Sequence, residues 1–229
     1  MLAQELTAGG RRALALPCDV TVDGDLEGAV AAAREAFGRL DVVVANAGFG
    51  VVGPIQALTV DDYRRQFETN VFGVVRTAHA TLAELKKTRG RFVVIGSVSG
   101  HVSVPGSSAY SMSKFAVRAF AASLGHELAP HGVTVTLISP GFVDSEIRRV
   151  DNHGVLSEAG ADPVPRWLIV PTPVAARHIV RAIARRRREA VITGHGRITV
   201  FIQRHAPWLV DWIVRRFGVK SRAEPPAAT

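Results

Sequence analysis

Short apolar runs alternating with longer stretches of helical periodicity constrain this chain more than any other feature. Val42-Val43-Val44-Ala45 and Phe92-Val93-Val94-Ile95 contain no polar residue, and 133–138 contains only threonines among its apolar residues. A strand that is apolar at nearly every position must be covered on both faces. Between these runs, Asp25–Phe37, a stretch from Thr59 to about Arg89, 110–129, and a stretch from Thr172 to about Arg187 carry helical spacing. Strands alternating with helices of that length imply parallel strands joined by crossover helices. Ala13-Leu14-Ala15-Leu16, closed by Pro17, reads as a further strand, and 190–193 as the last. The expected fold is α/β, a Rossmann-like, doubly wound parallel sheet.

Local signals punctuate this pattern. Gly38 stops the 25–37 helix, and Thr59 with Asp62 forms a capping pair. Thr172-Pro173 reads as a cap followed by proline at the first helical position. The segment 141–171, with Gly154, Gly160, Pro163, Pro165 and Pro171, reads as a substrate lid. Met1 to Leu6 opens inside a helix that has no beginning. The main domain is expected over 1–196, a C-terminal amphipathic helix over 197–222, and a disordered tail over 223–229.

At 229 residues and 47% hydrophobic content, the chain can bury one large core. Its one cysteine, Cys18, excludes an internal disulfide and fits a reducing, cytoplasmic compartment. No signal peptide or membrane span is legible. The net charge of +8 is uneven: residues 166–229 hold thirteen Lys and Arg against three Asp and Glu. Neither a motif nor interleaved aromatics accompany that basic excess, so nucleic acid is not an expected partner. Within 201–217, however, Trp208, Leu209, Trp212, Ile213 and Phe217 recur at helical spacing beside Arg204, Arg215 and Arg216. Such a helix packs against the body or a second subunit, or makes peripheral contact with a membrane.

Ligands of an open α/β sheet bind at the C-terminal ends of its strands. Those positions hold Asp19, Asn46-Ala47-Gly48, Ser97 and Pro140-Gly141, with Tyr110 and Lys114 at the start of a helix. Spacing of i and i+4 puts Tyr110 and Lys114 on one helix face. A phenol is a poor base at neutral pH, and an ammonium beside it favours the phenolate. Alone the pair is more often a surface pair. Ser97, which can hydrogen-bond a carbonyl or alcohol, and Asn70 in the preceding helix make it a candidate acid/base centre. No metal-ligating cluster is expected.

Asp19, Asn46-Ala47-Gly48, Asn70, Ile95-Gly96-Ser97, Tyr110-Ser111-Met112-Ser113-Lys114, and Pro140-Gly141-Phe142-Val143 with Ser145 follow one another at a familiar spacing. Through them the chain resembles the short-chain dehydrogenases/reductases of the single-domain branch, as far as about Thr193. The resemblance implies reversible hydride transfer between NAD or NADP and a ketone or secondary alcohol. Tyr110 would be the general acid/base, and Lys114 would lower its pKa and hold the nicotinamide ribose. Ser97 would orient the substrate, and Asn70 would support a proton relay. Asp19 and Val20 would contact the adenine, and Asn46, Ala47 and Gly48 the adenine ribose. Pro140, Gly141, Val143 and Ser145 would hold the carboxamide. It also implies a homo-oligomer assembled through the helices at about 60–88 and 110–129.

The sequence departs from that family in one respect. The motif Thr-Gly-x-x-x-Gly-x-Gly, which brings backbone amides to a pyrophosphate, is absent. So is the following strand, which chooses between NAD and NADP. The expectation is a sheet lacking its first βαβ unit, roughly 30–40 residues, with an apolar strand edge exposed at 42–45. A reading frame started late at an internal methionine is the simpler account. A short non-catalytic fragment or partner protein is the rival, and a redox-neutral epimerase or dehydratase is the alternative reaction. Val102 and Val104, with Leu156, Val164, Pro165, Trp167, Leu168 and Ile169 of the lid, favour an apolar, bulky carbonyl substrate.

Overall fold

A computed structural model describes residues 2–148, 150, 152 and 164–217. Four parallel strands, β1 (Val42–Ala45), β2 (Arg91–Ile95), β3 (Thr134–Ser139) and β4 (Glu189–Val191), form one sheet in that order. The register sets Ala45 beside Val94, Val94 beside Leu137, and Ser139 beside Val191, so the strand ends line up along one edge.

Alternating strand residues serve two cores. Phe92, Val94, Val135 and Leu137 pack with Val74, Ala78 and Leu85 of α4 (Gly73–Thr88) and with Val117, Ala121 and Leu124 of α5 (Ser108–Leu128). Val93 and Ile138 face the other way, onto Ala175, Ile179 and Ala182 of α6 (Thr172–Ala184). Helices therefore cover both faces of a Rossmann-like sheet. α2 (Asp25–Phe37) ends at Gly38, whose φ of 78° is the left-handed conformation a glycine adopts without strain. α3 (Val60–Phe67) opens with the Thr59–Asp62 capping box.

Four local expectations are corrected. The helix from 59 to 89 is not continuous: a π-helical turn, Glu68–Phe72, separates α3 from α4. Thr172 does not cap α6 but starts it, and its hydroxyl donates to the Asp144 carbonyl. Residues 13–16 form no strand, and Leu14 and Leu16 are 47% and 43% exposed. A strand exists only through a neighbour's hydrogen bonds, and these residues have none among the described ones. Finally, the single C-terminal helix is two: α7 (Gly194–His205) and α8 (Pro207–Phe217). Ala206, with φ −143° and ψ 62°, breaks the run because Pro207 disfavours helical geometry in the residue before it. α7 also runs across the expected boundary at 196.

α1 (Leu2–Ala8) buries no residue. β1 is the other open edge: Val42 and Val44 are exposed, and an apolar groove of about 330 Å³ runs along it between α2 and α4. The expected exposure at 42–45 is present. Leu156 and the 223–229 tail lie outside the described residues.

Candidate active site

Strand alignment brings three side chains together. Ser97 follows β2, and its hydroxyl accepts a hydrogen bond from the Ser99 amide at 3.1 Å, which fixes the turn into 98–100. Tyr110, half-buried on the first turn of α5, lies close enough to Ser97 for that hydroxyl to act on its phenol. Lys114, one turn on, is only 6% exposed, with Nζ 5.6 Å from the Tyr110 ring centroid. Nζ donates to the Ile95 carbonyl at 3.0 Å, so β2 itself aims the lysine.

The electrostatics differ in part from the expectation. Burial raises the Tyr110 phenol above its usual value, and the Ser97 hydroxyl is the opposing influence. Lys114 stands over the ring with its ammonium engaged on a carbonyl, and burial lowers its pKa to about 8. With its pKa raised by burial, Tyr110 is a neutral acid at pH 7.

The loop after β1 forms the opposite wall. Asn70, 1% exposed within the π-helical turn, accepts from the Phe49 amide at 3.1 Å. Its Nδ2 donates to the Phe49 carbonyl at 3.0 Å and to Ser113 Oγ at 3.2 Å. Gln66, fully buried and four residues earlier, accepts from the Val51 amide and donates to the same Phe49 carbonyl. Asn70 and Gln66 thus grip the 49–51 backbone, and Gly50 of that loop lies against the Tyr110 ring. A Cβ at Gly48 would stand 2.9 Å from Asn70 Oδ1, so the loop seats only a glycine there. The turn is wound one residue looser than an α-helix, a device frequent at functional sites.

The segment after β3 is fixed by the C-terminal quarter. The His195 ring accepts from the Phe142 amide at 3.0 Å and stacks on the Phe142 ring. A Cβ at Gly141 would fall 2.3 Å from His195 Nε2 and 2.4 Å from Thr193 Oγ1, so no side chain fits. Pro140 accepts from the Val98 amide, and Val143 pairs in parallel with Val170. Ser145 is exposed. Asp19 lies at the far end: its carboxylate accepts the Thr21 amide and hydroxyl, which hold its pKa down. Val20 packs on Gly73 and joins Asn46 and Ala47 in lining the β1 groove.

Of the apolar residues assigned to a substrate pocket, Val102 is buried and Val104 half-buried, but Trp167 is 82% exposed and turned to solvent. Asn152 ties the lid to the opposite loop through two hydrogen bonds with the Val52 backbone. Sequence reasoning missed Gln66, His195 and His101. His101 is 6% exposed, 3.0 Å from Ser139 Oγ and 3.3 Å from Glu189 Oε1, and burial keeps it neutral at pH 7. The signal for His195 was present, since it follows the last strand inside Gly194-His195-Gly196. Among the described residues no group of His, Cys, Asp or Glu could hold a metal.

An open parallel sheet wrapped by helices, with a serine, a tyrosine and a buried lysine gathered at its strand ends, defines a Rossmann-like α/β protein. The chain belongs to the short-chain dehydrogenase family, whose sequence profile matches residues 1–155. It is 32% identical over 225 residues to a dehydrogenase/reductase SDR family member 7B of Bos taurus, covering 91% of this chain and 66% of that one. It is 30% identical over 221 residues to an 11-beta-hydroxysteroid dehydrogenase A of Sesamum indicum, covering 92% and 62%. The chain spans 51 to 66% of the length of these and other curated relatives. Its fold matches a short chain dehydrogenase/reductase of Burkholderia phymatum in complex with NAD, at a TM-score of 0.78 and 24% identity, over 91% of this chain and 80% of that one. An alcohol dehydrogenase of Thermococcus sibiricus complexed with 5-hydroxy-NADP matches at 0.68 and 25%, over 84% and 77%.

Proposed function

We propose that the protein is an NAD(P)-dependent oxidoreductase acting on a ketone or secondary alcohol of apolar character. The observation that carries this is the buried Lys114 ammonium, 5.6 Å from the Tyr110 ring centroid and bonded to the Ile95 carbonyl, beside Ser97 at the strand ends. Tyr110, kept protonated by burial, donates its proton to a carbonyl oxygen that Ser97 orients, and recovers it in the reverse direction. Lys114 remains charged below about pH 8 and lies on the Tyr110 face, where it stabilises the phenolate left behind. Asn70 supports this centre as a positioning residue, through Phe49 and Ser113.

The residues present fit the nicotinamide end of a dinucleotide. Thr193 Oγ1 is buried without a hydrogen-bond partner beside the side-chain-free Gly141, and Lys114 has donors to spare after Ile95. There Lys114 would hold the ribose, and Pro140, Gly141, Val143 and Ser145 the carboxamide. Asn46, Ala47, Gly48, Asp19 and Val20 would take the adenosine end. Bound so, a nicotinamide group supplies or accepts the hydride. A second reading is that the 229-residue chain by itself is a non-catalytic fragment or partner protein.

Nicotinamide absorbance with a panel of apolar ketones tests the first reading. Tyr110→Phe should lower turnover by about 100-fold or more while the melting temperature holds. Near-normal turnover in that variant overturns the mechanism, and no cofactor binding by the 229-residue chain favours the second reading.

Two partner assignments belong with this proposal. Exposed Phe72, at the end of the π-helical turn that leads into α4, and Met112 and Phe115 on α5, each between 39% and 51% exposed, support a homo-oligomer through those helices. Trp208 and Trp212 of α8 support peripheral contact of a cytoplasmic protein with a membrane surface. No described helix is long and apolar enough to cross one.

A further inference from the structure

One cavity away from the strand-end site gathers five arginines around an otherwise mostly apolar lining. It lies between α6, β4 and α7 and measures about 530 Å³. Arg181 of α6, Arg185 and Arg187 of the following turn, and Arg197 and Arg204 of α7 line it, with His178 and His205. Glu189 is the one carboxylate in the lining, and it already lies 3.3 Å from His101. Arg197 donates to the Val191 carbonyl, whereas the side chains of Arg181, Arg185, Arg187 and Arg204 form no hydrogen bond or ion pair with the described residues.

A solvated basic face would spread these charges. Here the fold concentrates them. Arg186 sits in the left-handed region at φ 49° and donates to Arg89 O, Gly90 O and Thr134 Oγ1. That anchored residue fixes the turn after α6, and its neighbours Arg185 and Arg187 both line the cavity. On α7, Arg197, Phe201 and Arg204 recur on one face by helical spacing. Five guanidinium groups held together with a single carboxylate among them repel one another, and an anion that accepts from two of them at once removes that cost.

We propose that this cleft binds a phosphate group, and that the group is the headgroup phosphate of an anionic phospholipid at a membrane surface. The lipid source rests on the membrane-contact reading above; the phosphate chemistry does not. Phe201 and Ile198 are 61% and 63% exposed on α7, Val180 is 65% exposed on α6, and Trp208 is 70% exposed on α8. Phe201, Ile198 and Val180 belong to helices that bound the arginine cleft, and α8, which carries Trp208, packs on α7. Arginines for the phosphate with aromatic residues for the interface is the composition that an anionic bilayer selects.

The test uses the full chain, vesicles of phosphatidylcholine with or without phosphatidylglycerol, and pyrophosphate as a soluble probe. A cleft variant, Arg181→Ser/Arg185→Ser/Arg204→Ser, is compared with an equal charge change outside the cleft, Arg166→Ser/Arg177→Ser/Arg188→Ser. All six side chains are exposed, and circular dichroism checks the fold of each variant. The cleft variant should lose about 100-fold in affinity for phosphatidylglycerol vesicles and should lose pyrophosphate binding. The second triple variant should change either by only a few-fold. Trp208→Ser should weaken vesicle binding alone. Equal losses in both triple variants would overturn the cleft, leaving diffuse charge. Vesicle binding that depends on Trp208 but ignores the cleft variant would also overturn it, with the membrane reading intact. Cleft-dependent pyrophosphate binding without vesicle binding would overturn the lipid source and the membrane reading.

Discussion

Lys114 shows how the site sets function against stability. Its ammonium is buried with one carbonyl as its hydrogen-bond partner, and burial lowers its pKa from the ordinary 10.5 to about 8. A base whose folded pKa is lowered makes folding less favourable while it is charged. That penalty is complete below about pH 8 and disappears above the unfolded value. Lys114→Met should therefore abolish turnover yet raise the stability of the chain at pH 7, by on the order of 3 kcal/mol at most. The advantage should shrink as pH rises from about 8 toward 10.5, which urea titrations across that range would follow. A variant less stable than the parent at pH 7 would show that the Ile95 hydrogen bond outweighs the desolvation. The residues of this centre were legible because Tyr110 and Lys114 are one helical turn apart and Ser97 ends a strand. The protonation of Tyr110 was not, since burial and the direction of an ammonium are properties of packing.

At the scale of elements, legibility followed how local the cause was. α2 was read to the residue because Gly38 terminates it, and the Thr59–Asp62 box because capping acts across one turn. The π-helical turn escaped, because one extra residue per turn leaves the apolar spacing almost unchanged. It nonetheless carries Asn70 to the Phe49 backbone, and with Gln66 it makes the 49–51 loop a fixed wall. Asn70→Ala strands the Phe49 amide and should cost about 1–3 kcal/mol in chemical denaturation. Gly48→Ala should cost a similar amount by driving a Cβ against Asn70 Oδ1. Because both act through one oxygen, the double variant should lose less than the sum, by at least about 0.5 kcal/mol. Strict additivity would mean that Gly48 is required for some other reason.

At the scale of the whole molecule, the parallel order and the two cores were readable from apolar strands flanked by helices, but the edges were settled only by pairing. Residues 13–16 have the composition of a strand and no pairing neighbour among the described residues, and β1 has the pairing groups of an inner strand with one side open. Val42 and Val44 are 39% and 45% exposed along that side, above a groove lined by Leu26, Val30 and Val74. A flat apolar edge of this kind is a template for another chain's strand, and charge on the edge is how natural sheets prevent such pairing. The 229-residue chain should therefore self-associate with concentration, and Val44→Lys should suppress this without lowering the melting temperature, because the side chain already meets solvent. Light scattering across a concentration series separates this route from oligomerisation through α4 and α5. If association runs through those helices, Phe115→Lys disperses it and Val44→Lys leaves it unchanged, and the edge would then be shown to be inert.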